Sequence, residues 1–90
     1  MPQLENNQEL YDYLISLAAS LRERGAESMA VIITAASKHA AGLSTEFLGE
    51  SRIALRKLVD LDPAVLGEQG KSEVADVLKQ LNAALDRRQQ

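Results

Sequence analysis

Apolar residues recur every three or four positions from about residue 8 to the end of the chain, and glycines interrupt this pattern at intervals. Such spacing places the apolar side chains on one face of a helix, so it predicts an all-α fold. We expect a small bundle of four main helices with a short helical turn near residues 63–66. The predicted helices cover residues 8–24, 27–41, 45–60 and 73–88.

The first two predicted helices form an αα-hairpin. Asn6 or Asn7 can cap the first helix, and Gly25 is expected to end it in a left-handed conformation. Gly42 is expected to end the second helix in the same way. The run MAVIIT (29–34) is rich in β-branched residues, which are also typical of strands, but its Ala-rich flanks and its apolar spacing favour a helix. A link of one or two residues then makes the two helices antiparallel.

The second half of the chain has its own start and stop signals. Ser44 is the predicted N-cap of the third helix, and the Asp62-Pro63 pair ends it. Asp62 can cap the short turn that follows, with Pro63 at its first position. Residues 67–71 are predicted to be a loop, which is long enough for the last helix to swing or exchange between chains but is also an ordinary connection length. The last helix has the most regular apolar stripe in the chain: Val74, Val77, Leu78, Leu81, Ala84 and Leu85.

Three of the helices carry more apolar surface than one neighbouring helix can cover. Tyr11 and Ile15 widen the stripe of the first helix, Val31 and Ala35 lie off the main stripe of the second, and Ile53 lies off that of the third. Two interpretations remain open at this stage, since these positions suit either the centre of a bundle or a dimer interface. Central burial suits Val31, whereas Ile53 is harder to bury within one chain.

Length and composition indicate one small domain, residues 1–90, in which residues 1–6 and 88–90 are expected to fray. The chain has 90 residues, one Phe, two Tyr, no Trp and no Cys. Neither a disulfide nor a thiolate metal site can therefore reinforce the fold. A domain of this size buries only about 60–65% of the surface of its unfolded chain. Its many alanines also bury little area each, which makes oligomerisation a reasonable expectation.

Charge and hydropathy exclude some classes of partner. The net charge is −3, and no polybasic patch or charged tail is present. There is no apolar run of the roughly 20 residues that a membrane span requires, and no N-terminal signal pattern. We therefore expect a cytoplasmic protein without a membrane partner and without a cofactor.

The stretch AAGLSTEFLGESR (40–52) resembles the turn of a DNA-binding helix-turn-helix. The resemblance consists of Ala41, Gly42, Leu43, Ser44 and Leu48. It implies a DNA-binding regulator that uses residues 38–52, and this is the alternative function. The pattern departs from that family at Lys38, where a small residue is usual. Glu46 and Glu50 would face the phosphates, whereas phosphate contacts need basic side chains, so the sequence argues against a nucleic-acid partner.

His39 is the only histidine and the main candidate for chemistry. Glu46 and Glu50 are four residues apart on the next helix and could approach it, but no Glu-x-x-His pairing accompanies them. Ser37 and Ser44 flank His39 without a nucleophile motif around either. We expect no metal site and no catalytic site, and interpret His39 as a boundary residue near a helix C-terminus. A small-ligand site beside His39 is a distant third possibility.

The third helix offers the candidate partner surface, which consists of Gly49, Arg52, Ile53 and Arg56. Arg52 and Arg56 are four residues apart, as are Gly49 and Ile53, so the two pairs lie side by side. Glycine lets another backbone approach, Ile53 supplies apolar area, and arginine is enriched at interfaces. The competing interpretation is an ordinary solvated face. The sequence thus predicts a non-catalytic helical protein-interaction module whose partner is a second copy of itself or another protein.

Overall fold

The computed structural model describes residues 7–42 and 44–88, and these residues form an all-α bundle with no strand among them. The four main helices are α1 (Asn7–Glu23), α2 (Glu27–Ser37), α3 (Ser44–Leu61) and α4 (Gly67–Arg88). Two 3₁₀ turns, Lys38–Ala41 and Pro63–Leu66, precede α3 and α4. The predicted fold class is confirmed. The fraying expected at residues 1–6, 89 and 90 lies outside the described residues, whereas Arg88 is the last residue of α4.

The junction between α1 and α2 follows from one glycine. Gly25 has φ +82°, a left-handed conformation that other residues rarely adopt. The amide of Ala26 donates to the carbonyl of Leu21 (2.8 Å), and the amide of Gly25 donates to that of Arg22 (3.1 Å). This pair of bonds is a Schellman motif, which satisfies carbonyls that the end of α1 leaves free. The predicted left-handed stop and the αα-hairpin are confirmed.

The second junction differs from the prediction. The α-helical part of α2 ends at Ser37, and the predicted last turn of this helix is the 3₁₀ turn Lys38–Ala41. Gly42 has φ −100°, so it does not repeat the left-handed stop of Gly25. Ser44 is the first residue of α3 rather than the residue before it, and its hydroxyl accepts a hydrogen bond from the Asn7 side chain (2.9 Å). The two predicted caps therefore bond to each other and join the starts of α1 and α3.

The predicted loop at 67–71 is wrong, because α4 begins at Gly67 and already includes these residues. Gly67 has φ +69°, which turns the chain from the 3₁₀ turn directly into the helix. Gly70 lies against Leu66, whose Cβ would be only 3.1 Å from a Cβ at position 70. Gly67 thus makes a turn and Gly70 makes a close contact, and neither belongs to a flexible segment. Without a loop at 67–71, the predicted movement of the last helix has no structural support. Pro63 occupies the start of the turn as predicted, but Asp62 makes no side-chain cap bond.

The core is continuous across the four helices. α1 packs against α2, α2 against α3, and α3 against α4, so that two antiparallel hairpins meet through α2 and α3. Phe47 is the largest fully buried side chain. The other buried apolar residues come from every helix and from the turn before α4: Leu10, Leu14, Ala18, Leu21, Ala30, Ile33, Ala36, Leu48, Ala54, Leu55, Leu58, Leu66, Val74, Val77, Leu81 and Leu85.

Two serines lie inside this core in different circumstances. Ser37 is buried, and its hydroxyl donates to the carbonyl of Thr34 (2.6 Å). Ser51 is 0% exposed, and its hydroxyl has no hydrogen-bond partner in the described part of the chain. A buried hydroxyl without a partner loses its bonds to water and gains nothing in return.

We expect Ser51→Ala to raise the free energy of unfolding by about 1 kcal/mol, because it removes an unbonded buried hydroxyl at a helical position. Ser37→Ala is the matched control, since it removes a hydroxyl that is bonded and should therefore gain less or lose stability. Urea unfolding followed by circular dichroism measures both. Equal changes in the two variants would contradict the assignment of Ser51 as an unsatisfied group.

Candidate functional site

A groove between α2 and α3 is the place where the predicted partner surface meets the surplus apolar residues. The two helices are joined by the 3₁₀ turn Lys38–Ala41 and leave an open groove of about 220 Å³ between them. Small side chains on both walls keep the helices close at its base. The groove is lined by Ile32, Ala35, Ala36, His39, Glu50, Ile53, Ala54 and Lys57.

The structure does not bring the four residues of the predicted surface together in one contact. Ile53 is 48% exposed and lines the groove beside α2. Arg52 is half-buried on the opposite flank of α3, where its guanidinium donates to Asn82 Oδ1 on α4 (3.2 Å). Arg56 is exposed, and Gly49 is half-buried with open space where a Cβ would be. Ile53 is therefore the member of this set that adjoins α2, whereas Arg52 supports the α3–α4 contact.

The outer face of α2 contributes more exposed apolar surface than the sequence indicated. Val31 is 54% exposed, so of the two interpretations that the sequence left open, central burial does not hold for this residue. The cause is geometric, because Ala30, Ile33 and Ala36 take the core side of α2 and leave Val31 pointing away from it. Ala35 is also exposed, one turn further along the same helix. The sequence placed both residues off the main stripe, but helical periodicity alone did not reveal how many neighbours would cover them.

His39 lies at the end of this groove next to an exposed carboxylate. Its Nδ1 is 3.3 Å from Glu46 Oε1, and both side chains are more than a third exposed. Glu50 lines the same groove, but no group of three or more His, Cys, Asp or Glu side chains within residues 7–42 and 44–88 could hold a metal ion. An exposed pair of this kind contributes little to stability. His39 thus links the turn after α2 to the first turn of α3.

The described residues of the stretch that resembles a helix-turn-helix, 38–42 and 44–52, lie at the junction of α2 and α3. The junction contains a 3₁₀ turn, and the side of α3 that would approach a nucleic acid exposes Glu46 and Glu50. Arg52, the first basic residue of α3, is bonded to Asn82. Exposed Lys38 and half-buried Arg52 offset these two carboxylates, so the stretch has no net positive charge with which to attract phosphates.

A second concavity, of about 480 Å³, lies between α1 and the start of α4. Arg24 donates to the carbonyl of Val65 across it, and Glu68 and Glu73 stand on its other wall. Burial raises the pKa of the Tyr13 phenol well above its usual value, and the Glu73 carboxylate adds to this effect. Charges of both signs line this cleft, so it has no evident preference for an anion or a cation.

Comparison with protein-family models, with curated proteins and with solved structures gives no match to this chain. In the part of the chain that the structure describes, every helix is too short or too polar to cross a lipid bilayer.

The glycine of the predicted surface supports a test of local packing. Gly49→Ala adds a methyl group with nothing within 4 Å, so it should stabilise the helix by about 0.5–1 kcal/mol. Gly70→Ala is the comparison, because its methyl group meets Leu66 at 3.1 Å and should offset that gain. Thermal unfolding of both variants measures the difference. A destabilised Gly49→Ala chain would mean that this face of α3 is covered.

Proposed function

We propose that the chain is a non-catalytic, cytoplasmic protein-interaction module that self-associates through the outer face of α2 and the adjoining Ile53. The observation that supports this function is the exposure of apolar side chains along α2. Val31 and Ala35 face away from the core, and Ile53 borders the same surface across the groove.

The lack of charged residues after Glu27 within α2 distinguishes its exposed face from an ordinary solvated helix face. No charged residue lies between Glu27 and Lys38, and the exposed residues in that span are Ser28, Val31 and Ala35. A surface helix normally carries charged and polar residues on the face opposite its core stripe. Here α1 and α3 cover only part of its circumference. The remaining apolar face is the kind of surface that marks protein contacts.

The size of the surface sets the expected strength of the association. Standard protein interfaces bury about 1,200–2,000 Å² in total, and a contact built on one 11-residue helix lies near or below the lower limit. We therefore expect a reversible dimer with a dissociation constant in the micromolar range rather than an obligate one. The monomer has a core of its own and remains folded when it dissociates.

Sedimentation velocity over a concentration series tests this proposal. The wild-type chain should sediment faster as its concentration rises through the micromolar range. Ala35→Asp should remain monomeric, because the dimer would have to bury two carboxylates without partners. Ala83→Asp is the matched control, since it makes the same change at an exposed position of α4 and should associate like the wild type.

Ile53→Asp tests whether the contact extends across the groove to α3, and we expect it to weaken association while circular dichroism shows an unchanged fold. A wild-type chain that stays monomeric at hundreds of micromolar would contradict the proposed function. Equal association of Ala35→Asp and Ala83→Asp would instead place the contact on another surface.

A further inference from the structure

Four exposed residues form a single stripe along the outer face of α2. They are Glu27, Val31, Ala35 and Lys38, and Lys38 continues the helical path with φ −67° and ψ −19°. Spacings of four, four and three residues keep them on one side of the helix. Along the helix the stripe therefore runs from an acid through two apolar residues to a base.

We propose that this stripe is the contact of an antiparallel, twofold-symmetric dimer in which α2 of one protomer lies against α2 of its partner. This inference rests on the proposed function and adds the orientation of the partner. Glu27 would then oppose the partner's Lys38, and Val31 would oppose the partner's Ala35. Both pairs have their midpoint at about residue 33, so one twofold axis satisfies them together.

Charge complementarity selects this arrangement over a parallel one. In an antiparallel pair each end of the stripe meets the opposite charge, and the dipoles of the two helices also oppose each other favourably. A parallel pair would bring Glu27 against the partner's Glu27 and Lys38 against the partner's Lys38. Like charges held opposite one another oppose association, so the same four residues disfavour the parallel form.

The shape of the surface around the stripe is compatible with a second copy. Small Ala35 lies beside Val31, so the larger side chain of one protomer can pack over the smaller one of the other. The groove next to Ala35 offers Ile32 and Ile53 as further apolar area, and Glu50 and Lys57 stand at its edges with opposite charges. The apolar area beside the stripe is thus available to a second copy without an unbalanced charge at the groove.

The absence of cysteine makes engineered thiols clean probes of the orientation. Glu27→Cys and Lys38→Cys chains are mixed and treated with a short thiol-specific crosslinker. The antiparallel dimer predicts crosslinks mainly between the two different variants, with one native Glu27–Lys38 pair kept at the other end. Ala83→Cys mixed with Lys38→Cys measures random collision. Efficient crosslinking of Glu27→Cys chains to themselves would indicate the parallel form and overturn the inference.

Charge exchange gives an independent measurement in sedimentation experiments at low salt. Glu27→Lys should weaken dimerisation about fivefold to tenfold, since twofold symmetry removes the ion pair twice and replaces it with repulsion. Glu27→Lys combined with Lys38→Glu should restore the wild-type constant within about twofold, because each pair is attractive again. Asp86→Lys changes the net charge equally on α4 and should have little effect.

The outcomes separate the orientation from the self-association itself. A monomeric wild-type chain would overturn both the proposed function and this inference. Two results together would overturn only the antiparallel arrangement. The wild-type chain would dimerise with a dissociation constant that Glu27→Lys leaves unchanged, and the Glu27→Cys and Lys38→Cys chains would crosslink no better than the Ala83→Cys control. If the chain bound another protein through this stripe but did not bind a second copy of itself, the proposed dimer would be excluded.

Discussion

The packing of α2 against α1 and α3 at the same time is the constraint on which the rest of this structure depends. The two hairpins, α1–α2 and α3–α4, meet chiefly through the contact of α2 with α3. A helix of 11 residues can support two such contacts only if its neighbours approach closely. Ala30 and Ala36 allow that approach, and Ile33 fills the space between them as a fully buried side chain. A larger residue at either buried alanine would overpack the core around α2.

The same constraint explains the two open features of the surface. The hairpins meet chiefly through α2 and α3, and a cleft remains between α1 and the start of α4. The side chains that α2 turns toward α1 and α3 leave a third side of the helix exposed within residues 7–42 and 44–88. Val31 and Ala35 occupy that side. The exposed apolar face therefore has two causes. The short helix α2 packs against α1 and α3 and leaves one side exposed, and the residues on that side are apolar rather than charged.

Periodicity was sufficient to predict the helices, because apolar spacing determines which face of a helix is buried. It failed where a residue's role depended on a distant partner. Gly70 was interpreted as part of a loop, yet its position reflects a close contact with Leu66 that only the folded chain creates. Arg52 was placed in the candidate surface, but its partner Asn82 is 30 residues away on α4. The burial of Val31 was undetermined for a similar reason, since a sequence shows faces but not the number of neighbours around each helix.

An exposed apolar face creates a risk of open-ended aggregation, and the order of residues along α2 bears on how this chain limits it. When two different surfaces form the contact, each pair of chains still has one copy of each surface free, and further chains can add to form a filament. A twofold contact uses the same surface on both chains, so association stops at the dimer. In the proposed dimer, Glu27 and Lys38 bound the apolar residues at both ends of the stripe. A third chain would find Val31 and Ala35 already covered. Glu27 and Lys38 thus favour the antiparallel orientation of the two α2 helices. This orientation makes the dimer twofold-symmetric, so its apolar faces are covered and no further chain is added.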